Sequence, residues 1–289
     1  MTLSSPCKVN LILNILGKRA DGFHELETVM HPVNVCDQIS FTPSGSGVQL
    51  TCSHPELPVD GRNLVFRAAT NFLAEAKISD GVRLHLDKKI PMAAGLGGGS
   101  GNAATTLLGL NELFGKPLNA AQLQVQAAAL GSDVPFFLQT KPALAVGRGE
   151  QVQSLEPFAS LRGTAILLIH PGFGISTPWA YKELARFSSA LNGERGRAQR
   201  LATSLREKDL TSAAKDFYNS LEAPALEKFP VLALYQEFFR AHDAVVSLMS
   251  GSGSTTFAVF PSEGKAQSAI DPFQAKFGSA AWLTVVPLA

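Results

Sequence analysis

The most informative stretch of this sequence is residues 91–115, PMAAGLGGGSGNAATTLLGLNELFG. Five glycines lie between Gly95 and Gly101, so over most of this loop no bulky side chain keeps a ligand away from the backbone amides. The alternating segment GVRLHLDKKI at 81–90 indicates a strand before the loop, and apolar spacing after it predicts a helix that ends at Gly115. This order of strand, glycine loop and helix favours a phosphate ligand, because the helix adds unpaired N–H groups and the positive end of its dipole.

Two common phosphate-binding patterns do not fit this loop. The Walker pattern requires a Lys and a Ser or Thr at the end of the loop, where this chain has Gly101 and Asn102. The dinucleotide-binding fingerprint requires a glycine where this chain has Ser100, and it expects an acidic residue about 20 residues later, where the helical segment AAQLQVQ lies instead. A glycine-rich packing contact without a ligand is a further alternative, although so many glycines cost conformational entropy.

Apolar periodicity elsewhere predicts alternating strands and helices. Strands are predicted at 6–16, 34–42, 143–147, 164–170 and 281–287, and helices at 64–77, 119–131, 201–217, 224–241 and 264–276. The segment SGSG at 44–47 indicates a hairpin turn, and the polar run at 188–200 indicates an exposed loop or linker. The elements lack a regular βαβ cadence, which favours an α+β fold in two domains, 1–155 and 156–289.

A second glycine cluster, GSGST at 251–255, lies between the strand-like segments VVSLM and TTFAVF. Taken alone, this cluster is equally consistent with a plain hairpin turn. It becomes informative together with the first glycine loop and the N-terminal segment SPCKVNLIL at 5–13.

The composition excludes several classes of protein. With 25 Lys and Arg against 24 Asp and Glu, the net charge is +1, so no excess charge attracts nucleic acid or an anionic membrane. The longest apolar stretches, such as 165–169, are far shorter than the ~20 residues that a bilayer requires. Three cysteines without a CxxC pair predict neither a zinc site nor a disulfide framework. The N-terminus lacks a secretory signal pattern, so we expect a cytoplasmic protein without nucleic-acid or membrane partners.

Three motifs in the same order resemble the GHMP small-molecule kinase superfamily: KVNL at 8–11, the glycine loop, and the C-terminal glycine turn. Within it, the chain resembles the kinases that phosphorylate the 2-hydroxyl of 4-diphosphocytidyl-2-C-methyl-D-erythritol in the non-mevalonate isoprenoid pathway. The segments ILGKRADGFHELETV, PMAAGLGGGSGNAAT, SDVPFF and HPGFGISTPWAY carry this likeness, which covers nearly the full length. It implies a two-domain GHMP kinase fold, with a ribosomal protein S5 domain 2-like N-terminal domain and a ferredoxin-like C-terminal domain.

The resemblance also implies roles for particular residues. Asp133 would orient the acceptor hydroxyl and take its proton, and Lys8 would stabilise the developing charge. The implied nucleotide-binding residues are Asn63, Pro91, Met92, Ala93, Ala94, Gly95, Leu96, Gly97, Gly98, Gly99, Ser100 and Gly101. The implied substrate-binding residues are Asn10, Phe23, His24, Thr177, Tyr181, Gly251, Ser252 and Gly253. ATP is the expected cofactor, and Mg²⁺ is expected to arrive with it, because no carboxylate cage is visible in the sequence.

Phe23 and Tyr181 would enclose a cytosine and His24 would hydrogen-bond its edge, with Phe23 standing where the family more usually has tyrosine. Simpler interpretations remain open: Asp133 and Asn63 as helix N-caps, Phe23 and His24 as packing residues, and Lys8 as a solvated edge-strand lysine. An acyl-transfer enzyme with an S-x-x-K motif ending at Lys8 is disfavoured, because SDN and KTG motifs are missing. Two other functions compete: a GHMP kinase for another small alcohol, and a catalytically silent GHMP fold.

Overall fold

The computed structural model describes residues 1–288, which form eleven strands and eleven α-helices. The strands are β1 (Thr2–Lys18), β2 (His24–Ser44), β3 (Val48–Cys52), β4 (Gly81–Asp87), β5 (Ala143–Gly147), β6 (Gln151–Ser154), β7 (Ala165–His170), β8 (Tyr218–Asn219), β9 (Val246–Met249), β10 (Thr256–Phe260) and β11 (Trp282–Pro287). The helices are α1 (Leu64–Glu75), α2 (Gly98–Leu113), α3 (Ala120–Leu130), α4 (Thr177–Glu183), α5 (Ser188–Leu191), α6 (Arg197–Glu207), α7 (Leu210–Ala213), α8 (Glu222–Lys228), α9 (Val231–Ala241), α10 (Glu263–Ser268) and α11 (Ile270–Phe277).

The first sheet is built on the long antiparallel pair of β1 and β2. Its strands lie in the order β3-β4-β2-β1-β8, while β5 pairs with the early part of β2 and β6 pairs with β5. Helices α1, α2 and α3 pack together and bury a core that includes Phe41, Phe72 and Leu107. The first turn of α2 lies beside β1, the strand that carries Lys8, because Asn102 Nδ2 donates to Ser5 Oγ at 3.0 Å.

The second sheet has four antiparallel strands in the order β11-β7-β10-β9. Numbered within this sheet by chain position, the order is 4-1-3-2, that of a ferredoxin-like domain. Phe239 of α9 stacks on Phe273 of α11 with ring centroids 5.2 Å apart, in a core that buries Leu167 of β7. The mixture of helices and two sheets confirms the predicted α+β class.

Segments from the second half of the chain also pack on the first sheet. Strand β8 pairs in parallel with β1 through Ile12 and Leu13. The buried carboxylate of Glu27 accepts hydrogen bonds from the amides of Gly196 at 2.9 Å and Ala198 at 3.0 Å, and so satisfies donors at the start of α6. The two halves therefore share contacts on β1 and β2, and the domain boundary at 155 stays a prediction.

Most predicted elements are present, but several details differ. The hairpin predicted at 44–47 is wrong, because β3 pairs in parallel with β4, which separates it from β2. The helices predicted at 201–217, 224–241 and 264–276 are each interrupted, and the polar run at 188–200 contains α5 and the start of α6. Asp209 explains one break, because its carboxylate accepts from the amide of Ser212 and begins a new helix.

Candidate active site

One large cavity of about 1260 Å³ contains nearly all of the predicted site residues. Lys8, Asn10, Phe23, His24, Asn63, residues 91–100, Asp133, Thr177, Tyr181, Gly251 and Ser252 line it. The two remaining ones, Gly101 and Gly253, lie behind the wall: a side chain at Gly101 would press on the Pro6 carbonyl, and one at Gly253 would overlap Met249. In these two places glycine allows close packing rather than open access to the cavity.

Contacts along the wall give the order of the groups in the cavity. The Cβ position of Gly99 lies 3.7 Å from Leu64, which follows Asn63, and that of Gly97 lies 3.0 Å from the side chain of Lys8. Lys8 in turn faces Asp133. The glycine loop therefore runs from Asn63 to the ion pair of Lys8 and Asp133.

The glycine loop leads directly into the N-terminus of α2. Gly97 is the N-cap with φ 68°, and no side chain caps this end of the helix. Ala93 and Gly95 also have positive φ values, of 50° and 76°. Turns of this kind bring successive amides towards one side, and the unpaired amides of the first helical turn add to them. The geometry suits an anion such as a nucleotide phosphate.

Hydrogen bonds from both halves of the chain hold this loop. The Lys8 amide donates to the Leu96 carbonyl at 3.0 Å, and the Thr255 amide donates to the Ala94 carbonyl at 3.1 Å. The Ser250 hydroxyl donates to the Gly95 carbonyl at 2.9 Å. A side chain at Gly95 would overlap the Ser250 carbonyl oxygen, so the loop and the GSGST turn pack backbone against backbone.

Lys8 and Asp133 form an ion pair in the cavity wall, with Nζ 3.4 Å from Oδ2. Lys8 is only 3% exposed and Asp133 is 38% exposed, so the carboxylate reaches solvent while the ammonium does not. The ammonium also donates to Asn10 Oδ1 at 2.5 Å and to the Gly95 carbonyl at 3.2 Å. A solvated edge-strand lysine is therefore excluded.

The alternative role of Asp133 as a helix cap is also excluded. The short 3₁₀ helix that follows, Pro135–Leu138, has Val134 as its N-cap and no side-chain cap. Asn63 differs, because its Oδ1 accepts from the Val65 amide at 2.9 Å and its Nδ2 donates to the Pro58 carbonyl at 2.8 Å. The predicted N-cap role of Asn63 is therefore confirmed, and the side chain lies at the cavity wall as well.

Three aromatic or imidazole rings also line the cavity, those of Phe23, His24 and Tyr181. The ring centroids of His24 and Tyr181 are 4.9 Å apart, and Phe23 is 52% exposed. Burial, with a smaller contribution from Lys18, lowers the pKa of His24, which favours the neutral ring. Burial and the charge of Asp133 raise the pKa of Tyr181, so its phenol remains a donor. Phe23 is therefore not a buried core residue.

A buried charged network under the glycine loop was not predicted. Asp37 is fully buried, and its carboxylate accepts from Lys88 Nζ at 2.5 Å and from Asn102 Nδ2 at 2.9 Å. It also accepts from the amides of Lys89 and Ile90. This network ties the segment before the loop to the first turn of α2. An acidic residue at an inward position of an apolar strand is the signal that could have revealed it.

Other cations line the cavity without having been predicted, namely Lys18, Arg62, Lys88, Arg148 and Lys182. Thr177 reaches the GSGST turn, since its hydroxyl lies 2.9 Å from that of Ser252. Within residues 1–288, no group of three or more His, Cys, Asp or Glu side chains is arranged to hold a metal ion. None of the helices in the described part of the chain combines the length and apolar character needed to cross a bilayer.

Family models match both halves of the chain. Residues 63–141 match the GHMP kinases N terminal domain, and residues 201–279 match the GHMP kinases C terminal model. The chain belongs to the GHMP kinase family. The match to the N-terminal GHMP kinase model includes the glycine loop and Asp133, and the match to the C-terminal model includes the GSGST turn.

Individual GHMP kinases give a finer comparison. A protein of Acaryochloris marina named 4-diphosphocytidyl-2-C-methyl-D-erythritol kinase is 39% identical over 277 residues, which cover 92% of this chain and 89% of the relative. A crystal structure titled 4-(cytidine 5'-diphospho)-2C-methyl-D-erythritol kinase matches with TM-score 0.81 and 33% identity over all of both chains. Homoserine kinase from Cytophaga hutchinsonii matches with TM-score 0.77 at 19% identity, covering 99% of this chain and 94% of that one, which shows the shared fold.

Proposed function

We propose that this GHMP kinase transfers the γ-phosphoryl group of ATP to the 2-hydroxyl of 4-diphosphocytidyl-2-C-methyl-D-erythritol. The reaction belongs to the non-mevalonate route to isoprenoid precursors. The observation that carries the proposal is the ion pair of Lys8 and Asp133, which lies in one cavity with the glycine loop and the rings of Phe23 and Tyr181. Relatives with the corresponding name share 37–39% of their residues with this chain over nearly its full length.

The reacting groups would meet at the ion pair. The acceptor oxygen attacks the γ-phosphorus, the bond from phosphorus to the β,γ-bridging oxygen breaks, and ADP leaves with that electron pair. Asp133 takes the proton of the attacking hydroxyl, which its exposure to the cavity permits. The buried Lys8 ammonium stabilises negative charge on the transferring group, in a place where water screens it weakly.

The nucleotide would occupy the part of the cavity between the glycine loop and Asn63. The amides at the start of α2 bind the phosphates. The positive φ values at Ala93, Gly95 and Gly97 turn the amides of the preceding loop towards the same phosphates. We expect Mg²⁺ to enter with ATP, because residues 1–288 offer no cage of their own and phosphate oxygens with one or two protein groups suit this ion. When bound, the ion would neutralise phosphate charge.

The cytosine would lie at the other end of the cavity. Phe23 and Tyr181 supply ring faces, and neutral His24 can hydrogen-bond the edge of the base. Phenylalanine in place of the more usual tyrosine keeps the ring face and loses only a hydroxyl. Because the base binds far from the reacting hydroxyl, its binding energy serves to position that hydroxyl near Asp133.

Replacing Lys8 by Met is expected to lower kcat about 10²-fold and to change the KM for ATP by less than fivefold. The side chain keeps its volume in the buried wall, but a charge contact that strengthens in the transition state is lost. Steady-state kinetics at saturating acceptor measure both constants. A larger change in KM than in kcat would make Lys8 a ground-state binding residue instead.

The choice of acceptor is tested by ADP release with four alcohols: the cytidine substrate, methylerythritol phosphate, homoserine and mevalonate. We expect kcat/KM for the cytidine substrate to exceed the other values at least 10²-fold, because only that substrate contains a base. His24→Ala should reduce this preference by about tenfold, as expected for the loss of one or two polar contacts. Preference for an alcohol without cytidine would overturn the substrate, and no turnover with ATP still bound would support the silent fold.

A further inference from the structure

Arg148 occupies the turn between β5 and β6, and its side chain lines the cavity. Its neighbour Gly149 approaches the catalytic ion pair, since the Cβ position of Gly149 lies 3.9 Å from Asp133 Oδ1. On the other side, Gly147 pairs with Leu26 near the start of β2, close to Phe23 and His24. The turn thus lies between the rings of Phe23 and His24 on one side and the carboxylate of Asp133 on the other.

The guanidinium of Arg148 packs on a ring and lies near two carboxylates, those of Glu150 and Asp21, without a hydrogen bond to either. Its central carbon lies 4.6 Å from the centroid of the Phe23 ring, a cation–π contact. Its nearest approach to a carboxylate is 3.9 Å, from Nε to Glu150 Oε2, which is too long for a hydrogen bond. Within residues 1–288 the guanidinium donates no hydrogen bond to protein, and the side chain lines the cavity. Its N–H donors therefore make no hydrogen bond to protein that a ligand would have to replace.

We propose that Arg148 binds the diphosphate of the acceptor. This inference rests on the proposed function. A cytidine diphosphate alcohol has its base at one end, its reacting hydroxyl at the other, and two charged phosphates between them. If the base lies against Phe23 and the hydroxyl against Asp133, the phosphates must pass the segment that Arg148 occupies. A guanidinium stays charged at all relevant pH values and matches phosphate oxygens with paired N–H donors.

An alternative role for Arg148 is to support the ring of Phe23, and the two roles predict different ligand dependence. A supporting role affects every ligand that contains cytosine, whereas diphosphate binding affects only ligands that contain phosphate. Cytidine and CDP differ in this respect alone. Their dissociation constants can be measured by calorimetry with ADP present at saturation, so that the nucleotide end of the cavity is filled.

We expect wild-type protein to bind CDP at least tenfold more tightly than cytidine, and Arg148→Gln to lose most of that preference while its affinity for cytidine changes less than twofold. Arg148→Lys should keep part of the preference, because an ammonium also attracts phosphate. Lys276→Gln, a change of a cation outside the cavity, is the matched control and should bind like wild type. Thermal unfolding of each variant checks that the fold is intact.

The possible failures are distinguishable. If wild type prefers CDP and Arg148→Gln keeps the full preference, the diphosphate role is overturned and the proposed function stands. If the variant loses affinity for cytidine and CDP equally, Arg148 supports Phe23 and the diphosphate role is again overturned. If wild type binds neither ligand, the cytidine substrate is wrong, and the role of Arg148 falls with it.

Discussion

Asp133→Asn is expected to lower kcat by roughly 10²- to 10⁴-fold, the usual scale for loss of an acid–base group. The amide has nearly the same shape but cannot take the proton of the attacking hydroxyl. Asp133 caps no helix and its carboxylate is 38% exposed, but its loss leaves the buried ammonium of Lys8 with two neutral acceptors, so the free energy of unfolding should fall by about 1–3 kcal/mol. Turnover at saturating substrates measures kcat, and thermal unfolding measures the change in the free energy of unfolding.

Asp80→Asn is the matched control for Asp133→Asn, because Asp80 is an exposed aspartate directly before β4 and lies outside the cavity. Its activity should equal that of wild type. ATP affinity, measured by calorimetry, should stay within threefold in both variants, because in the proposed function the nucleotide phosphates bind to backbone amides. An Asp133→Asn enzyme that turns over within threefold of wild type would remove Asp133 from the mechanism.

Gly95→Ala is expected to weaken ATP binding by at least 10²-fold. Two effects combine at this residue: its φ of 76° disfavours any side chain, and the added Cβ would overlap the Ser250 carbonyl oxygen. The loop must therefore move away from the GSGST turn, and the amides lose their alignment. Calorimetric titration with ATP measures the effect.

Gly115→Ala separates these two effects, because Gly115 has the same φ of 76° and no atom within 4 Å of its Cβ position. This variant should lose about 1 kcal/mol of stability from backbone strain and keep wild-type affinity for ATP. If both variants bind ATP equally well, the phosphate-binding role of the glycine loop is wrong. If both lose binding equally, general destabilisation rather than the contact with Ser250 is the cause.

Short motifs placed the candidate site residues in the sequence, and the roles of these residues stay predictions. The glycine loop and the strand of Lys8 form as predicted, and the structure brings them to one cavity with Asp133. Local patterns also located most strands and helices, because side-chain periodicity depends on neighbours within a few residues. The resemblance to GHMP kinases supplied what spacing alone did not, namely which carboxylate and which lysine face each other.

Long-range pairing was beyond the reach of these patterns. Periodicity indicates that 48–52 is apolar enough for a strand, but nothing local indicates that its partner is β4 rather than β2. The bond between Asp37 and Lys88 joins residues 51 positions apart, and that between Glu27 and the start of α6 joins residues about 170 apart. Each depends on the completed packing of the chain.

The hydrogen bond from Ser250 to the Gly95 carbonyl spans 155 residues of sequence. A ribosome must release nearly the whole chain before that bond can form, and loop closure over such a distance is slow compared with local helix formation. If the loop binds ATP as proposed, ATP affinity would appear only after the chain has been made as far as Ser250. A nascent chain that ends before the second sheet contains every glycine of the loop but lacks Ser250, whose hydrogen bond holds the loop in place.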